Sequence, residues 1–161
     1  MPLFRLAWLL LALPLTTACS SGDSSDPGTT GAGINDPQCA GALEFYVGIE
    51  QTSAGGYKVA LVEAEPAPPH VGDNRWVVRI VDANGAPVEG ASLIVKSVMP
   101  AHGHPSPRTA QVTPEGDGKY ELNPVNFNMS KLWKTTIEIT PSGAAAGSTP
   151  ESVTFSFCVV G

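Results

Sequence analysis

The chain has 161 residues, 42% of them hydrophobic and only 15% charged, enough for one ordinary globular domain with appendages. Nine basic against fifteen acidic residues give a net charge of −6. With no basic cluster to offset that bias, a protein that tracks nucleic-acid phosphates is excluded. Three cysteines are too few for a disulfide scaffold or a four-thiolate zinc site, and 17 glycines with 15 prolines weigh against a helical protein.

Residues 1–18 read as an address rather than as part of the fold. Arg5 is their only charge, and the apolar run Leu6–Leu15, broken by Pro14, covers about half of a bilayer core. It ends in Leu15-Thr16-Thr17-Ala18-Cys19, small residues before a cysteine, which resembles a bacterial lipoprotein signal with Cys19 as the lipidated residue. An ordinary secretory signal with an incidental cysteine is the alternative. Ser20 and Ser21 lack the acidic residue that retains lipoproteins in the inner membrane, so an outer-membrane anchor is expected. Residues 19–38 are a Ser/Gly/Thr/Asp-rich tether with too little apolar surface to fold. The domain is expected over 39–161.

From Cys39 onward the hydrophobic period is two. Strands are expected at Leu43–Ile49, Tyr57–Glu65 and Arg75–Val81, the last with Trp76, Val78 and Ile80 on one face. Asn84-Gly85 supplies a tight turn, since both residues adopt positive φ readily. Ala91–Val98 follows, then a weaker strand at Thr109–Thr113 and another at Gly118–Leu122. Trp133, Thr135, Ile137 and Ile139 alternate with polar residues, as do Val153, Phe155, Phe157 and Val159. Such a series predicts an all-β fold, an Ig-like antiparallel β-sandwich of about seven to eight strands, with an open barrel as runner-up. Cys39 and Cys158 bracket the domain, and in an exported chain a disulfide between them is the leading reading over a pair of metal-binding thiols.

Most catalytic templates fail on inventory. The sequence holds no Gly-x-Ser-x-Gly elbow, no Gly-rich phosphate loop followed by Lys and Ser/Thr, and no His-Glu-x-x-His helix. No enzymatic activity is therefore expected. One stretch carries concentrated chemistry: Val98-Met99-Pro100-Ala101-His102-Gly103-His104-Pro105. Two of the three histidines stand two apart on a proline-hemmed turn, beside one of only two methionines left after the signal; the other is Met129. Thioether and imidazole suit copper, Cu(I) especially, because thioether sulfur is soft. The bland reading makes Met99 a buried strand end, His102 and His104 tolerated turn residues, and Met129 a core filler under Trp133. His70 reads as a surface residue.

The stretch from about Glu65 to Thr140 resembles the YtkA-like domains, relatives of the FixH family. The shared features are the Trp76 strand, the Asn84-Gly85/Pro87-Val88 turn, Met99-Pro100 with its His/Gly loop, Gly118-Lys119-Tyr120, and Met129 before Trp133. Members commonly carry Gly immediately before that tryptophan, where this chain has Leu132. The resemblance implies a small exported or membrane-anchored β-sandwich associated with copper handling or oxidase assembly. Met99, His102, His104 and Met129 are then the copper ligands, with the membrane and an envelope protein as partners. A metal-free structural or interaction domain of the envelope is the alternative.

Overall fold

Alternation with a period of two buries one face of every strand, and here two such faces meet. A computed structural model describes residues 36–161. The signal segment, Cys19 and the tether up to residue 35 lie outside the described residues. A single 3-10 turn, Pro37–Cys39, precedes nine strands: β1 Glu50–Thr52, β2 Lys58–Glu65, β3 Gly72–Val81, β4 Ser92–Met99, β5 His104–Pro105, β6 Gln111–Gly116, β7 Lys119–Phe127, β8 Lys131–Thr140 and β9 Glu151–Val159. They form two separately hydrogen-bonded antiparallel sheets, ordered β1-β2-β3-β7-β6 and β5-β4-β8-β9. The fold is a β-sandwich, as the periodicity predicts.

The strand positions largely follow the alternation, with two differences. Leu43–Ile49 is not a strand. Its start lies beside the free edge of β9, where the Leu43 N–H donates to the Ser156 carbonyl at 2.7 Å and Phe45 packs edge-on against Phe157. Its end crosses to β2, where Gly48 and Ile49 hydrogen-bond with Leu61. That segment covers an edge that would otherwise be open to pairing with other chains. The second difference is β5, two residues that the prolines and glycine of the loop conceal from any periodic reading. With β1 also only three residues long, these two account for a total above seven or eight.

Inside the sandwich, Trp76, Val78 and Ile80 of β3 face Trp133, Ile137, Phe155 and Phe157 of the second sheet, all essentially inaccessible to solvent. Trp76 lies edge-on to Phe155 and Phe157, with ring centroids 6.3 and 5.7 Å away, and Phe127 is 6.0 Å away. Large aromatic rings bury the most apolar area per residue, and edge-to-face contacts add to that. Among the buried polar side chains, Ser97 and Thr135 on neighbouring strands share a hydrogen bond of 3.0 Å. On the outer face of the first sheet, Arg75 of β3 pairs with Glu63 of β2, Glu115 of β6 and Glu121 of β7. These exposed pairs order the surface more than they stabilise it.

Cys39 and Cys158 are joined, with Cα atoms 5.3 Å apart and a sequence separation of 119. Cys158 stands opposite Leu132 in the β8–β9 register, so the bridge ties the entry of the domain to the start of β8. Closing so long a loop is worth about 5 kcal/mol in the chain-entropy account. The Cys39→Ala/Cys158→Ala protein should lose about that much in a denaturant titration. An unchanged midpoint, or two alkylatable thiols in the exported protein, would contradict the bridge's role.

Candidate metal centre

Two connections meet at one end of the sandwich. The first links β4 to β5 through Pro100-Ala101-His102-Gly103. It closes because the Met99 carbonyl accepts from the His102 N–H at 3.2 Å and the Gly103 N–H at 2.9 Å. Gly103 has φ of 65°, a left-handed conformation that glycine adopts without strain and that ends such four-residue loops. The turn sets Met99 and His104 directly opposite each other in register, so both project from the same face of the sheet. His102 therefore sits on the turn as the sequence suggests, whereas His104 belongs to a strand.

The second connection, residues 128–130, crosses from β7 in one sheet to β8 in the other and carries Met129. Its geometry is fixed at both ends. Lys131 takes φ of 101°, an unusual value for a residue with a side chain, and its ammonium binds the Asp36 carboxylate at 2.5 Å. The Trp133 indole N–H donates to the Met129 carbonyl at 2.9 Å.

Between the two connections lies a cleft of about 230 Å³ lined by Gln38, Met99, Ala101, His102, Met129, Ser130 and Lys131. Three of the four expected ligands thus share one concavity. The fourth, His104, has its ring centroid 5.7 Å from that of His102. An imidazole nitrogen ligates a metal at about 2.0 Å, so rings at this spacing are within reach of one ion. His104 Nδ1 lies 3.1 Å from the Pro105 carbonyl, which can only accept; Nδ1 is therefore the donor and Nε2 keeps its lone pair for a ligand.

The four differ in how they are held. Met99 is 2% exposed and part of the hydrophobic core, so its packing and its place on the cleft are inseparable. His104 is half-buried, edge-on to Trp133 at 5.8 Å. His102 is exposed, and Met129 is 38% exposed. Met129 is not a core filler under Trp133. No group of three or more His, Cys, Asp or Glu side chains is placed to share a metal among the described residues, so a site here depends on thioether sulfur.

No carboxylate lines the cleft, and Lys131 brings a positive charge. The Lys131 hydrogen bond, and then the Gln38 N–H, hold Asp36 below the ordinary carboxyl value. Gln38 and Lys131 escaped sequence reasoning because their place depends on the disulfide and the Asp36 pair, which bring the Pro37–Cys39 turn, expected as the end of a tether, against β8. His70 is exposed and forms an isolated bridge with Val160, apart from the cleft.

These environments separate the two methionines. Met99→Ala should cost about 2–5 kcal/mol of stability, the usual range for emptying a buried Met site, while Met129→Ala should stay within about 0.5 kcal/mol. Thermal unfolding of both variants checks this, and equal losses would mean that Met129 is packed as core.

A family model described as YtkA-like matches residues 51–138, beginning in β1 rather than near Glu65. Against curated proteins no match was found. Among solved structures, FetP of uropathogenic Escherichia coli strain F11, isolated after expression in the periplasm, is 16% identical with a TM-score of 0.48. The match covers 71% of this chain and 95% of that one. A copper-bound variant of FetP is 17% identical at the same TM-score, covering 71% and 96%. A copper-bound variant of Campylobacter jejuni P19 is 12% identical with a TM-score of 0.46, again over 71% and 96%. On a family match spanning more than half of its residues and the strands and loops that carry its motifs, this chain belongs to the YtkA-like family.

Proposed function

We propose that the chain is an extracytoplasmic copper-binding module, anchored to the outer membrane by lipid at Cys19, that holds or hands on copper in the manner of a chaperone or oxidase-assembly factor. The observation that carries this reading is the convergence of Met99, His102 and Met129 on one cleft, with His104 alongside. Two thioethers and two imidazoles form a soft, neutral donor set, which suits Cu(I) better than a hard divalent ion. The absence of a carboxylate from the cleft, with the Lys131 ammonium already paired with Asp36, leaves nothing there to offset the charge of a divalent ion. A disulfide at the domain entry fits an oxidising compartment. The role is binding and transfer, without turnover.

The test uses the full chain and its Cys19→Ser variant. The parent should be acylated and recovered with membranes, and the variant should be uncleaved or free of lipid, with the domain still folded. Titrated against competing chelators, the variant should take up one equivalent of Cu(I). Its Cu(II) binding should be weaker and lost first in acid, because protons compete for imidazole but not for thioether. His102→Ala is the clean probe, since His104 also packs on Trp133. It should abolish Cu(II) binding and leave the melting temperature nearly unchanged. Equal weak affinity with and without His102 would overturn the copper reading and leave a metal-free interaction domain of the envelope.

A further inference from the structure

Resting on that reading, we infer that Trp133 is the positioning residue of the copper site, the side chain that holds Met129 and His104 in register with each other. Trp133 is 1% exposed and packs against Phe127 at 5.3 Å, so it moves with the core. From that fixed position it reaches both connections. Its ring meets His104 at 5.8 Å and an interplanar angle of 68°, and its indole N–H binds the Met129 carbonyl. Val98 pairs with Lys134, so Met99 comes one position further on, beside Trp133 on the neighbouring strand.

Burial alone does not explain the indole hydrogen bond. The other tryptophan of the domain, Trp76, is just as buried, and its Nε1 has no partner. Met129 has little packing of its own on a three-residue link, so the bond from Trp133 supplies an anchor next to the thioether. A phenylalanine at this position keeps a ring against Phe127 and His104 but lacks the N–H.

Losing an outer hydrogen bond that orients a ligand commonly costs 10–100-fold in metal affinity. Trp133→Phe in the full-length Cys19→Ser protein should therefore weaken Cu(I) binding about tenfold, measured against a competing chelator. Met129→Ala should weaken it similarly, and the double variant should lose little more than either single change, since both disable the same ligand. Additive losses, or unchanged affinity in Trp133→Phe, would overturn the assignment while leaving the copper reading intact.

Should the phenylalanine variant fail to fold, the unaltered indoles answer in its place. In 15N-labelled Cys19→Ser protein, Cu(I) should shift the indole N–H resonance of Trp133 and leave that of Trp76 in place. A Trp133 resonance that stays fixed while copper binds would refute the role. A protein that takes up no Cu(I) at all removes the copper reading, and this assignment with it.

Discussion

Trp76 from one sheet and Trp133 from the other each pack against Phe127, and that shared contact locks the two layers together. Phe157 extends the row beyond Trp76, and His104 extends it beyond Trp133, so a continuous line of rings runs from β9 through the core to the loop end of the sandwich. A close-packed interior transmits position because its side chains have little room to adjust. His104 is therefore placed by its ring contact with the core as well as by the turn that sets it opposite Met99. The same constraint explains why Met99 can be fully buried and still form a wall of the cleft.

The chemistry of the cleft follows from what the fold excludes as much as from what it gathers. Acidic residues outnumber basic ones across the chain, yet none lines this cavity. The carboxylates are spent elsewhere: three on Arg75 across the outer face of the first sheet, and Asp36 on Lys131. What remains is two sulfurs and one imidazole, with a second imidazole, His104, alongside and donating from Nδ1 to the Pro105 carbonyl. Such a set would suit a soft ion and leave its charge uncompensated. The disulfide and the Asp36–Lys131 pair place Gln38 on the rim, so the point where the tether meets the domain is also a wall of the proposed binding cleft.

Much of this was legible before any coordinates. The alternation in β3, β8 and β9 identified their buried faces residue by residue, and the terminal cysteines announced their bridge. The Met99–His104 loop stood out because soft ligands crowd a proline-hemmed turn. Leu43–Ile49 misled because apolar residues covering a sheet edge look like residues within a sheet. β5 was invisible at two residues. Met129 could be joined to the loop by inventory, as the other methionine left after the signal, and by resemblance to the family, but nothing in a one-dimensional pattern brings residue 129 to residue 99. The part played by Trp133 was hidden for a different reason: alternation marks it as core, and core residues are not expected to orient ligands.

The central claim is that thioether sulfur from both connections reaches a single copper ion. X-ray absorption at the copper edge, on full-length Cys19→Ser protein loaded with one equivalent of Cu(I), reads the ligand atoms directly. Two sulfur scatterers together with imidazole nitrogen are predicted, with one sulfur lost in Met129→Ala. A first shell made of nitrogen and oxygen alone would contradict the account.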